Sequence, residues 1–327
     1  MNVTTSLRLG TRGSQLALYQ ARTVAGLIAD AGGPRCDIVV IRTSGDQLQE
    51  APLSEIGGKR LFVKEIEDAL LRGEIDLAVH SSKDMPAVLP DGLRIAGVLP
   101  REDPHDAVVL PAGARRAGNL EDLLVALGHA PAIGTSSVRR IAQLTRLFPG
   151  ARFAPVRGNL DTRLRKLDSG EHDALVLAAA GLRRLGLEDR IAFALPVSAC
   201  VPAPGQGIIA IEMRTGDESV ARAVSSVTDT AAATALDAER ALVEALGGGC
   251  QTPIGALATP LRDDRLELVA SVVALDGSRA VHTVVHGRRS EARTLGARAA
   301  EHLLADGAGE ILEEARLARP QGDARTP

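Results

Sequence analysis

Cys250 stands in the segment Leu246-Gly247-Gly248-Gly249-Cys250-Gln251-Thr252-Pro253, between an Ala-rich helical pattern and a β-like run. The glycines relieve the backbone of Cβ clashes and Pro253 stiffens the exit, so the cysteine rides on a turn. A thiolate is the softest side-chain nucleophile, and one so placed suggests covalent chemistry. A buried cysteine after a helix C-cap is the other reading, and the motif alone leaves both open. A second candidate is His80-Ser81-Ser82-Lys83-Asp84-Met85-Pro86, just past an expected strand. Lys83 beside Asp84 would hold an acid/base carboxylate ionised at neutral pH, whereas burial would raise its pKa. The alternative is a surface ion pair before a proline turn. His80 by itself reads as a packed or capping histidine.

Three phrases share one layout of strand, polar turn and helix start: Gly10-Thr11-Arg12-Gly13-Ser14, Gly134-Thr135-Ser136-Ser137-Val138-Arg139-Arg140, and Val156-Arg157-Gly158-Asn159-Leu160-Asp161-Thr162-Arg163. Helix N-termini favour anions, and in α/β sheets ligands gather at the carboxyl ends of strands. Arginine forks at those ends match carboxylate or phosphate. One such phrase is ordinarily an N-cap with solvated arginines; three in succession point to a polyanionic ligand.

Composition narrows the classes. The formal charge is −3, with 38 basic residues, of which only Lys59, Lys64, Lys83 and Lys166 are lysine. That balance argues against a generic nucleic-acid binder, and the five aromatics are too few for base-stacking platforms. Arginine bias suits bidentate recognition of many carboxylates, although genome composition can also produce it. Cys36, Cys200 and Cys250 are widely spaced, with no Cys/His cluster for a metal. Neither a signal layout at Met1–Ser14 nor an apolar run long enough for a membrane helix is present, so a cytoplasmic protein with no membrane partner is expected. Gly205-Gln206-Gly207-Ile208-Ile209-Ala210 fits the GxGxxA pattern, yet it follows a Pro-rich loop and enters a β-branched run. A dinucleotide site needs a strand before and a helix after.

The elements that must position these residues alternate in the first half, as in a parallel α/β sheet. Strands are expected at 7–10, 37–42 and 76–80, with helices over 14–31 and 61–72. A second α/β block opens near Pro104, with strands at 132–134, 152–156 and 174–177, helices from Ser137 and Asn159, and a turn at Gly181. After the loop 201–207 comes a strand at 208–213. From about Thr230 the pattern changes to a helix over 231–246, an antiparallel meander at 254–258, 266–275 and 281–286, and one helix over 291–317. The polar tail 319–327 is expected to be disordered.

Taken together, LGTRGSQLAL, GGKRLFVKEIE, VHSSKDMP, REDPHDA, GTSSVRR, VRGNLDTRLRKL, AAAGLRRLG, PAPGQG and LGGGCQTPIG resemble the porphobilinogen deaminase (hydroxymethylbilane synthase) family, in family order from residue 9 to 255. The resemblance implies a transferase of tetrapyrrole biosynthesis that joins four porphobilinogens head to tail with loss of ammonia, giving hydroxymethylbilane. It implies a dipyrromethane cofactor held by a thioether to Cys250, because loss of ammonia leaves an electrophilic methylene that a soft sulfur captures. Asp84 would be the catalytic carboxylate, touching pyrrole N–H groups and stabilising the azafulvene cation. Lys83, Asp84, Ser137, Arg139, Arg140 and Arg163 would bind the cofactor. Arg12, Ser14, Arg157, Arg163, Arg184 and Gln206 would surround porphobilinogen and the growing linear oligopyrrole, with Lys59 and Phe62 on a mobile loop over the cleft. That loop departs from the family at Glu55, where many members have lysine, and at Arg60, where many have glycine. A chain of six pyrroles carries about a dozen carboxylates, and charge-assisted bonds contribute roughly 1.5–3 kcal/mol each, so many arginines are needed.

The implied fold class is α/β: two periplasmic-binding-protein-like α/β domains plus a smaller α+β C-terminal domain with a three-stranded antiparallel sheet. The expected boundaries are 1–100 with 207–226, then 104–200, then 230–318, with hinges near Pro100 and Cys200. A monomer without metal or nucleic acid is implied. A non-catalytic two-lobe anion-binding protein would explain the arginine turns, but neither Cys250 on its glycine loop nor the Lys83–Asp84 pair. A cysteine hydrolase would lack an evident histidine partner.

Overall fold

The computed structural model describes residues 6–44, 63–249 and 252–318. Lys59, Phe62, Glu55, Arg60, Cys250 and the tail 319–327 therefore lie outside the described residues.

Strand β1 (Leu7–Thr11) alternates an exposed Arg8 with buried Leu7 and Leu9 and runs into Ser14. The Ser14 hydroxyl caps helix α1 (Gln15–Asp30) by accepting the Ala17 N–H at 3.3 Å. Gln20, Ala21, Val24 and Ile28 recur at helical spacing and form the buried stripe. That stripe lies on a sheet in which β1 pairs in parallel with β2 (Cys36–Val40) and β3 (Leu77–Ser81). Helix α2 (Lys64–Leu71) precedes β3. The five strands run in the order β2-β1-β3-β10-β4, with β4 at Leu93–Val98 and β10 at Ile209–Arg214. Strand β10 is antiparallel to both of its neighbours. The sheet is mixed, where alternating elements alone predicted a parallel one.

The second sheet repeats this plan. Strands β5 (Asp106–Val109), β6 (Ala132–Gly134), β7 (Arg152–Ala154), β8 (Ala174–Ala178) and β9 (Ile191–Ala194) lie in the order β7-β6-β8-β5-β9, and β5 is antiparallel to β8 and β9. Among its helices are α3 (Leu120–Leu127), α4 (Val138–Leu147), α5 (Leu160–Asp168) and α6 (Ala179–Arg184). The turn expected at Gly181 is thus a short helix. Strands β4, β5 and β9 also went unpredicted, because their partners are remote in sequence and their apolar runs carry no turn pair to mark them.

In each sheet the antiparallel strand comes from the far side of a crossing. Residues 99–105 lead out of the first sheet to β5, and 195–208 lead back from β9 to β10. Helix α7 (Glu218–Ser225) closes the first unit. Helix α8 (Thr230–Ala245) then leads to the meander β11 (Ile254–Pro260), β12 (Arg265–Val273) and β13 (Ala280–Arg288). Helices α9 (Ala292–Ala305) and α10 (Ala308–Leu317) pack with α8 around a core that includes Leu242, Leu268, Val272 and Leu303. The single helix expected over 291–317 is two, because Gly307 takes φ +97°, a left-handed conformation that ends α9.

One buried carboxylate ties these parts together. Glu239 on α8 accepts from Arg101 of the outgoing crossing at 2.7 Å, from the Gly205 N–H of the returning crossing at 2.6 Å, and from the Ala258 N–H at 2.7 Å.

Candidate active site

Strand β3 ends at Ser81 and passes into a 3₁₀ turn, Ser82–Asp84, closed by the Met85 N–H donating to Ser82 O at 3.1 Å. The turn rests on a fixed base. His80 is buried with Nε2 3.1 Å from Glu212 Oε2 of β10, which makes it a packed histidine. Gln20 of α1 donates to Ser81 Oγ at 2.9 Å, and the Ser82 N–H donates to Ile208 O at 2.9 Å. Gly205 and Gly207 take φ +73° and +86°; a Cβ on Gly205 would sit 2.6 Å from Ser82 Oγ, and one on Gly207 2.2 Å from Glu102 O. In the GxGxxA look-alike, Gly205 therefore serves close approach to the Lys83–Asp84 turn and Gly207 close approach to the outgoing crossing, and a strand follows them.

This turn opens into a cavity of about 640 Å³ between the two α/β units. Arg12, Ser14, Lys83 and Asp84 line it from the first sheet, and Ser137, Arg139, Arg140, Arg157 and Arg163 from the second. Arg184 and Gln206 line it at the crossing. Every expected site residue among the described ones is thus on one cavity. Ser14 and Ser137 are helix N-caps; Ser137 Oγ accepts the Arg140 N–H at 3.5 Å, which leaves the hydroxyl hydrogen available to a ligand oxygen. Lys83 Nζ donates to Gln206 Oε1 at 3.3 Å, Arg163 Nε to Gly158 O at 2.8 Å, and Arg184 Nη2 to Gly207 O at 2.6 Å.

Arg139 and Arg140 meet a residue that sequence reasoning did not single out. Asp106, fully buried at the start of β5, receives Arg139 Nη1 at 2.7 Å, Arg140 Nε at 2.9 Å and Gln206 Nε2 at 3.0 Å. Against the burial that would raise it, the two guanidiniums hold this carboxyl well below the usual range. Cys200 lies beside the group, its Sγ 3.3 Å from Asp106 Oδ2, and burial with the nearby carboxylate pushes its thiol up to about 12. Arg240 of α8 is a second lining residue not anticipated; its Nη2 donates to Ala87 O at 2.6 Å. Arg240 is the one arginine of α8, and helical spacing alone does not tell that it faces the cleft.

The electrostatics are cationic. Burial and the guanidiniums of Arg140, Arg12 and Arg157 push Arg163 down to about 10, while Asp84 draws it up. Arg163 stays protonated at neutral pH, and an incoming carboxylate relieves its crowding. Among the described residues no cluster of His, Cys, Asp and Glu could hold a metal, and no helix is long and apolar enough to cross a membrane. The arrangement can hold several carboxylates while presenting the Asp84 carboxylate to the same cavity. Gly249 and Thr252, which flank Cys250 in sequence, line the same cavity.

Two family models match the chain: "Porphobilinogen deaminase, dipyromethane cofactor binding domain" over residues 7–222 and "Porphobilinogen deaminase, C-terminal domain" over residues 233–305. A porphobilinogen deaminase of Desulforudis audaxviator is 47% identical over 310 residues, covering 94% of this chain and 97% of the relative. That of Pelotomaculum thermopropionicum is 46% identical over 312 residues (95% and 97%), and that of Geobacter metallireducens 44% over 317 residues (94% of each). Among solved structures, the Bordetella pertussis BvgS periplasmic VFT2 domain is 16% identical with a TM-score of 0.40, covering 68% of this chain and 86% of that one.

Proposed function

This chain belongs to the porphobilinogen deaminase family, and from that premise we propose that Asp84 is its catalytic carboxylate and Cys250 the attachment point of its cofactor. The enzyme is a hydroxymethylbilane synthase: it joins four porphobilinogens head to tail, releasing ammonia each time, in tetrapyrrole biosynthesis. The single observation that carries the site assignment is the convergence on one cavity of Asp84 with arginines from three separate strand ends.

The residues present fit a dipyrromethane. Its four carboxylates need cationic donors, and Arg139, which lines the cavity, has a buried Nε with no hydrogen-bond partner among the described residues. Lys83, Ser137, Arg139, Arg140 and Arg163 would hold the cofactor carboxylates. When bound, the cofactor would supply a free pyrrole carbon as the nucleophile. Arg12, Ser14, Arg157, Arg184 and Gln206 orient the acetate and propionate of porphobilinogen. Asp84 would lie against the pyrrole N–H and stabilise the positive charge that grows as ammonia leaves, then take up the proton lost when the pyrrole ring regains aromaticity. A non-catalytic anion-binding protein would need the arginines but no carboxylate at Asp84.

The working units are residues 1–100 with 207–226, 104–200 and 230–318, hinged near Pro100 and Cys200. Lys59 and Phe62, outside the described residues, act on the substrate in this reading. The enzyme acts as a monomer in the cytoplasm.

Intact-protein mass tests the attachment. The purified chain should exceed its sequence mass by two pyrrole units, and Cys250→Ser should lose the addition. An unmodified but fully active enzyme, or an adduct on Cys200, overturns the assignment.

A further inference from the structure

Arg139 and Arg140 are adjacent on the first turn of α4, and neighbouring residues on an α-helix point about 100° apart. Left to the helix, the two guanidiniums would diverge. They converge because Asp106 gathers both: Arg139 Nη1 at 2.7 Å from Oδ2, and Arg140 Nε at 2.9 Å from Oδ1. Backbone carbonyls add to the grip, Val201 O accepting from the same Arg139 Nη1 at 2.6 Å and Val176 O from Arg140 Nη1 at 2.8 Å. The same carboxylate accepts Gln206 Nε2 at 3.0 Å, and Gln206 Oε1 accepts Lys83 Nζ at 3.3 Å. One side chain on β5 therefore fixes the arginine pair of the second unit and, through one amide, the lysine beside Asp84 in the first.

We propose that Asp106 is a positioning residue: without touching substrate, it converts Arg139 and Arg140 into a single carboxylate-binding site and couples that site to the Lys83–Asp84 turn. The proposal rests on the reading of these arginines as cofactor ligands. A charge count supports it. One carboxylate between two guanidiniums leaves one positive charge, so the pair takes up one ligand carboxylate and not two. A merely structural pair would not need to line the cavity; both arginines do, and Arg139 Nε has no partner among the described residues. Asp106 is held ionised by its arginines across the physiological range, so the device is always set.

The test compares four variants of the full chain by intact mass, thermal unfolding and steady-state kinetics of the adduct-bearing fraction. Asp106→Asn keeps the shape and removes the charge that gathers the arginines. It should lower the adduct-bearing fraction by about tenfold or more, and in the residue that loads raise KM by about tenfold while leaving kcat within about threefold. Asp106→Glu, which keeps the buried charges paired, should fold even if Asp106→Asn does not, and should show the same KM-against-kcat split. Cys200→Ala removes a neighbour of the same carboxylate at the loss of one weak contact, Arg139 Nη1 to Sγ at 3.4 Å, while Asp106 still gathers both arginines, and should load normally. Asp106 variants that load like the wild type with unchanged KM, or that lose kcat at unchanged KM, overturn the proposal. Arg139→Leu separates the two layers. If it loads the cofactor normally, the ligand assignment beneath fails; if it stays unloaded while Asp106 variants load normally, only the positioning role fails.

Discussion

Asp84 is the residue on which the chemistry turns, and its two nearest substitutions divide charge from shape. Asp84→Asn keeps size and hydrogen bonding but can neither balance a cation nor take a proton; removal of such a group commonly costs about 10²–10⁴-fold in rate. Asp84→Glu keeps the charge one methylene away. Assays of ammonia release and bilane formation should show near-complete loss for Asn, partial activity for Glu, and both readouts falling together; Asn within about tenfold of wild type would place the catalytic carboxylate elsewhere. The thiols give an independent check. Burial and Asp37 push Cys36 up to about 11, and Cys200 stands at about 12, so neither presents a thiolate near neutral pH. An Ellman titration of native protein at mildly alkaline pH should find no fast thiol in the loaded enzyme and one, Cys250, in apo-protein. Any fast thiol in the loaded form would contradict it. At Arg163, lysine should also impair turnover, since an ammonium cannot reproduce the fork that donates to Gly158 O while facing the cavity.

At the scale of elements, the returning crossing shows how backbone conformation serves the site. Gly205 and Gly186 both take positive φ, +73° and +67°, but an added Cβ meets Ser82 and Lys83 at the first and nothing at the second. Gly186→Ala should therefore cost only the left-handed strain, about 1 kcal/mol in urea unfolding, with activity kept. Gly205→Ala should cost more and depress activity further than its stability loss explains, because the clash displaces the Lys83–Asp84 turn. Equal activity in the two would remove that link. In the outgoing crossing, His105 Nδ1 lies 2.7 Å from Asp103 Oδ1, and this bond raises His105 and lowers Asp103. The His105 contribution is fully present below the ordinary imidazole value of about 6.5 and fades as pH rises through the higher folded one. The Asp103 contribution is present above about 3.9 and fades as pH falls. His105→Gln should flatten the fall in Tm that the wild type shows as pH rises above about 6.5; identical Tm profiles would deny the pair any role. The same elements show what the sequence could reveal. The arginine turns were legible because strand, turn and cap lie within a dozen residues. Asp106 was not: its partners Arg139 and Gln206 are 33 and 100 residues away, and only the tertiary fold brings them to it. The break at Gly307 was hidden because the apolar period continues on both sides of it.

For the molecule as a whole, two five-stranded sheets, each with its antiparallel strand next to one edge, lie on either side of a cationic cavity, with the third unit pinned to both crossings through Glu239. A ligand held by charge across such a cavity is sensitive to ionic strength, so KM for porphobilinogen should rise with added salt while kcat changes little; a salt-independent KM would count against the arginines as the main grip. The return of β10 to the first sheet has a further consequence, for biosynthesis. Strand β4, at Leu93–Val98, has β10 as its sheet neighbour, and β10 begins at Ile209. A ribosome adding roughly 5–20 residues per second delivers that partner between about 5 and 20 s after β4 emerges. The second sheet, by contrast, is closed entirely by strands from its own stretch of chain, 106–194. The nascent polypeptide therefore finishes its second lobe before its first, and through that interval carries an apolar strand whose hydrogen-bonding edges are open to a neighbouring chain on the same message.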